Sequence, residues 1–278
     1  MSISSFLTKK FLKSLFFPAH NRGKALPKGL IRLLKKQPGL WDLPELPEIG
    51  SPLSNSGLIH DAQISISKKV NTKKCFFGVN GASGLIQSGI IAMANPGEYI
   101  LMPRNVHISV IKACALQNII PIFFDIEFSK VTGHYLPITK KWFTNVFNNI
   151  DFDNTKIVGV ILVSPYYQGY ATNLEPLIKI CHLHSLPVLV DEAHGSYFLF
   201  CENFNLPKSA LRSKADLVVH SLHKSLNGLT QTAIIWHNGN LIEENKLIKS
   251  INLLQTTSPN SLLLSSCCLL YTSPSPRD

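Results

Sequence analysis

No stretch of the 278-residue sequence approaches the roughly 20 apolar residues of a membrane-spanning helix. The strongest run, Ile157 to Val163, has the length of a strand, so no membrane partner is expected. No CxxC or other metal-ligand spacing joins the six cysteines, Cys75, Cys114, Cys181, Cys201, Cys267 and Cys268. A zinc or dithiol site is therefore not expected, and the thiols read as reduced and mostly buried, as in the cytoplasm. Charged residues make up only 16% of the chain. The net charge is +10, but no basic run interleaves with aromatics, so nucleic acid is not an expected partner. Glycine (16) and proline (17) stand near their average, which excludes collagen-like and low-complexity classes. The N-terminus lacks a small-residue cleavage site, and lysines interrupt its apolar residues. Phe6, Leu7, Phe11, Leu12, Leu15 and Phe16 recur there at helical spacing, predicting a docking helix rather than a signal peptide.

What the sequence does contain is strand and helix in alternation. Residues 1–60 read as that helix followed by an irregular arm rich in Pro and Gly. From residue 61 to 267 the pattern becomes regular. Helices are predicted over 82–94, 106–117, 139–148, 174–184 and 241–254. Strands are predicted over 99–102, 119–124, 156–163, 187–190, 216–220 and 231–236. The continuously apolar strands IVGVILV and LPVLV must be buried on both faces. That points to an α/β fold, a mostly parallel sheet with helices on both faces. In such a sheet ligands sit beyond the carboxyl ends of the strands.

Four loops fall there: Val79-Asn80-Gly81-Ala82-Ser83-Gly84, Arg104-Asn105-Val106-His107, Asp191-Glu192-Ala193-His194-Gly195 and Ser221-Leu222-His223-Lys224-Ser225. The first opens a helix with small residues, which suits an anion such as phosphate, although it matches neither GxGxxG nor a P-loop. Each feature alone has an ordinary explanation. NGASG fits a tight turn, Asp191 a helix cap, His107 a solvated loop and Lys224 a surface charge. Together they supply what pyridoxal phosphate chemistry needs: a phosphate cradle, a ring to stack on the cofactor, a carboxylate for its pyridine nitrogen and a lysine for the Schiff base.

At these residues the sequence resembles the Orn/Lys/Arg decarboxylase family, fold-type-I pyridoxal phosphate enzymes. The likeness is carried by DEAHG, SxHK, INLLQTTSP, DLPELPE at 42–48, Val79-Asn80-Gly81 and Pro103-Arg104-Asn105-Val106-His107. It runs from about Pro18 to Ser266 in the family's order. The resemblance implies a fold-type-I transferase-like domain in which Lys224 forms the Schiff base. It implies that Asp191 pairs with the pyridine nitrogen, that His107 stacks on the ring, and that Ala193 packs on the opposite face with His194 beside it. Ala82, Ser83, Ser221 and His223 match positions that hold the phosphate. The implied reaction is loss of CO2 from a small cationic amino acid (lysine, arginine or ornithine) to give a diamine or polyamine precursor. A homodimer or higher homo-oligomer is implied as the working form. The sequence departs from the family at NGAS for NGST, Ser221-Leu222-His223-Lys224 for STHK, His20-Asn21-Arg22-Gly23 for HKxG, and Pro165-Tyr166-Tyr167-Gln168-Gly169 for PTYYG. An aminotransferase or aldolase using the same cofactor parts is the alternative activity. Residues 268–278 resemble a translated sequencing-adapter read-through. A non-native tail is therefore expected from 268, with the natural sequence continuing past about Cys267 and the 278-residue chain inactive by itself.

Overall fold

The computed structural model describes residues 17–152, 155–201, 204 and 206–272. The helix expected within residues 1–16 lies outside the described residues. A seven-stranded sheet forms from β1 (Lys74–Gly78), β2 (Tyr99–Pro103), β3 (Ile120–Phe124), β6 (Ile157–Val163), β7 (Val188–Asp191), β8 (Leu217–Ser221) and β9 (Ala233–His237). A separate ribbon pairs β4 (Phe128–Ser129) with β5 (His134–Tyr135). The order across the large sheet is β1-β9-β8-β7-β6-β2-β3. Only β9 runs against its neighbours; the other strands share one direction.

Alternate residues of the apolar strands enter different cores, the outcome of a two-residue side-chain period on a sheet covered on both faces. Leu162, Val188, Val190, Val218 and Trp236 join Phe77 on one side. Ile161, Leu189, Leu217, Val219 and Ile235 pack on the other against Leu85, Ile86 and Ile90. Those three belong to α3 (Gly81–Met93), which lies close on the sheet: a methyl at Gly89 would stand 2.4 Å from Leu189 Cδ1. The mostly parallel α/β sheet expected from the apolar strands is the observed one.

Several elements were not expected. The arm contains α1 (Lys28–Leu34) and a 3-10 turn at Pro38–Trp41, joined where the Trp41 indole N–H donates to the Leu33 carbonyl at 2.8 Å. Helix α2 (Leu58–Val70) starts before residue 61, and its Ile59 is already buried in the core. The remaining helices are α4 (Ile108–Gln117), α5 (Lys140–Asn148), α6 (Leu174–Leu183), α7 (Leu222–Ser225), α8 (Glu244–Leu254) and α9 (Ser261–Thr272). Helix α8 begins three residues later than the apolar spacing predicts. Helix α9 crosses the position at which a separate tail is expected to start. Cys267 is fully buried, and the Tyr271 ring stacks on Phe77 at 6.3 Å, so residue 268 is no structural boundary. Residues 273–278 lie outside the described residues. Among the described residues no helix is long and apolar enough to cross a membrane.

Candidate active site at the carboxyl edge of the sheet

Because β1, β2, β7 and β8 share one direction, the four loops singled out in the sequence meet at one edge. Asp191 is the last residue of β7 and only 6% exposed. Its Oδ1 accepts the Ala193 N–H at 3.1 Å, which also fixes the buried Ala193 over the strand end. Burial pushes the Asp191 carboxyl above its ordinary range, while the charges of Lys224 and His107 pull it back.

Lys224 sits in the short α7, directly after β8. Its Nζ lies 3.2 Å from His194 Nε2. Desolvation lowers the ammonium's pKa, and Asp191 opposes that shift. His194 is half-buried and lowered to about 4, by desolvation first and then by Lys224, His107 and His223. At neutral pH it is therefore an uncharged ring able to accept a hydrogen bond from Lys224. A solvated lysine, with a pKa of about 10.4, is a poor nucleophile at neutral pH, and this environment favours its reactive amine.

His107 caps α4: its Nδ1 accepts the Ser109 N–H at 3.2 Å and lies 2.8 Å from Ser109 Oγ, so the ring is held at the edge. His223 Nδ1 lies 3.2 Å from Ser221 Oγ and 3.3 Å from the Thr232 carbonyl, and burial lowers the pKa of this ring too. Ala82 and Ser83 occupy the first turn of α3, the former buried and the latter exposed. Gly81, before them, adopts φ +70°, a conformation that favours glycine, and its N–H bonds the Gln231 carbonyl at 2.9 Å. First-turn N–H groups lack partners within a helix, which leaves those of Ala82 and Ser83 available to an anion. Asp191, Ala193, His194, Ser221, His223 and Lys224 are thus linked through bonds or shared charge. His107 is coupled to them electrostatically, and Ala82 and Ser83 approach as the open end of a helix.

Sequence reasoning missed two aromatic rings that meet His194. The Phe17 ring meets His194 edge-on at 5.9 Å, and Tyr167 does the same at 5.6 Å. The arm is tied down by the Ala19 N–H, which donates to the His223 carbonyl at 2.9 Å. Asn21, Arg22 and Gly23 then turn with positive φ, closed by a 2.9 Å bond from the Gly23 N–H to His20 Nδ1. The departure from HKxG at His20–Gly23 was the available signal, but nothing in the local sequence says that this turn reaches residue 223. A cavity of about 520 Å³ opens between Met93, Ile157 and Pro187 at the opposite edge and holds none of these groups.

The residues present suit pyridoxal phosphate by chemistry: a half-buried lysine, a buried carboxylate one strand away, and an open helix end across β9. Comparison with known proteins identifies the family and the fold. The model for the Orn/Lys/Arg decarboxylase major domain matches residues 17–269. The arginine decarboxylase of Halalkalibacterium halodurans is 31% identical over 249 residues, covering 90% of this chain and 50% of that protein. The chain spans about half the length of the curated relatives it matches. The constitutive lysine decarboxylase of E. coli superposes with a TM-score of 0.72 at 19% identity, over 99% of this chain and 40% of that one. A structure of SPT with PLP gives 0.54 at 17% identity, over 81% and 55%.

Proposed function

The chain belongs to the Orn/Lys/Arg decarboxylase family, and on that footing we propose that it serves the pyridoxal phosphate-dependent decarboxylation of lysine, arginine or ornithine. One observation carries the reading: Lys224 and Asp191, 33 positions apart in the chain, converge at one sheet edge with a neutral histidine on the lysine. When bound, the cofactor supplies an electron sink for the pair released as CO2 leaves.

This chain's residues do the rest. Lys224 supplies the amine that holds the cofactor's aldehyde carbon. His194, uncharged, accepts a hydrogen bond at Nζ. Asp191 holds the proton at the ring nitrogen. The N–H groups of Ala82 and Ser83, with Ser221 and His223, would hold the phosphate, and His107 and Ala193 would contact the ring. Phe17 and Tyr167 set their rings against His194 and so orient its imidazole. The working form is a dimer or larger assembly of this chain's own kind. Among the described residues no disulfide joins the cysteines, in keeping with the reducing cytoplasm proposed for the chain.

Borohydride reduction after adding pyridoxal phosphate, followed by peptide mapping, is expected to place the pyridoxyl label on Lys224. CO2 release is then assayed on each of the three amino acids. A label on Lys208 or Lys214 would sink the assignment. A label on Lys224 with no CO2 from any of the three, in a chain extended with its natural sequence, would favour the aminotransferase or aldolase alternative.

A further inference from the structure

Next to Asp191 lies a polar chain that the proposed chemistry does not use. Glu192 and His220 are 1% and 0% exposed, and Glu192 Oε2 stands 2.7 Å from His220 Nε2. The Trp236 indole N–H donates to His220 Nδ1 at 3.0 Å, and the Ala210 N–H donates to Glu192 Oε1 at 2.8 Å. An indole nitrogen can only donate, so His220 Nδ1 carries no proton. The single proton of the imidazole is then on Nε2, where it must be donated to Glu192. A proton on Glu192 Oε2 would oppose it donor to donor, and one on Oε1 would oppose the Ala210 N–H. The pair is therefore a carboxylate beside a neutral ring. It has the look of a salt bridge but keeps a full negative charge.

That charge sits one residue from Asp191. The titratable groups facing the two carboxylates are His220, His107 and Lys224. Burial and mutual repulsion push the Glu192 carboxyl upward, as expected of an anion without a counterion. Resting on the cofactor reading above, we infer that Glu192 is a positioning residue whose fixed charge, preserved by the Trp236–His220 bond, keeps a proton shared between Asp191 and a ring nitrogen bound there. A second negative charge raises the proton affinity of the Asp191–nitrogen unit as a whole, so the site prefers a ring with a basic nitrogen to one without.

The test compares pyridoxal phosphate with the phosphorylated hydroxybenzaldehyde that has carbon in place of the ring nitrogen. Dissociation constants are read from the absorption change on binding. In Glu192→Gln the preference for the nitrogen ring is expected to fall by roughly tenfold or more, with the carbon analogue held as before. Trp236→Phe is expected to do the same with Glu192 intact, because His220 can then take a second proton and neutralise it. An unchanged preference in both variants overturns the inference. So does a ¹⁵N spectrum of the unaltered chain at neutral pH showing His220 Nδ1 protonated, a measurement that needs no variant to fold. If the unaltered chain binds neither ligand, the cofactor reading fails, while the ¹⁵N spectrum still decides the charge of the pair.

Discussion

His194 owes its neutral state first to burial and then to the charges of Lys224, His107 and His223. Lys224→Met removes the Lys224 contribution and leaves the others. The ring's pKa is therefore expected to rise from about 4 part of the way toward 6.5, as followed by histidine NMR titration. An unmoved value would mean that Lys224 does not act on the ring. The same group makes stability depend on pH with a definite sign. Its folded pKa lies below its unfolded one, so the unfolded chain binds more protons in between. Stability from this residue is intact above pH 6.5 and is lost as pH falls toward about 4, which urea midpoints across that window would record. Asp191→Asn is expected to leave the pyridoxyl label on Lys224 while CO2 release falls by about 100-fold or more, the scale of a lost charge contact in a desolvated site. Unchanged turnover would reduce Asp191 to a cap for Ala193.

Among the elements, the loops after β6 and β7 are fitted together at Gly195. A methyl there would meet Pro165 Cδ at 2.6 Å, Glu192 Cγ at 2.9 Å and Phe198 Cδ2 at 2.9 Å. The proline ring cannot swing aside, so Gly195→Ala is expected to cost about 1–3 kcal/mol, seen as a lower thermal midpoint. An unshifted midpoint would show that the loop yields. Elements that declare themselves through their own residues were legible in the sequence, such as β6 and β7 by their unbroken apolar runs and α5 by Thr139 at its cap. Elements that depend on distant partners were not. The strand β1, KCFFG, is five residues after a polar NTK and is defined by pairing with β9. Helix α9 has apolar residues all round and lies against α1 and α2. The site followed the same division. Motif residues next to strand ends could be grouped in advance. Phe17 and the Trp236–His220–Glu192 chain could not, because their roles exist only in contacts spanning 16 to more than 170 positions.

At the scale of the whole molecule, the outer sheet edge and its surroundings leave Ile120 and Phe123 of β3, with Ile108 and Leu116 of α4, exposed. An apolar margin of this kind fits association with a second copy. Sedimentation of the active protein is expected to show a dimer or larger species, and full activity as a monomer would refute it.

The reversed strand carries a consequence in time. Both sides of the site hang on β9 and the turn before it: β1 pairs with β9 through Gly78, the Gly81 N–H at the start of α3 donates to the Gln231 carbonyl, and β8 pairs with β9 through Ser221. On the ribosome β1 is complete at Gly78, whereas its pairing partner begins at Ala233, 155 residues later (233 − 78). At roughly 5–20 residues per second, Phe76 and Phe77 wait about 8–30 s before their strand has a neighbour. The nascent chain must keep those rings covered by other means, and the edge that gathers Lys224, Asp191 and the mouth of α3 can close only after the ribosome has passed His237.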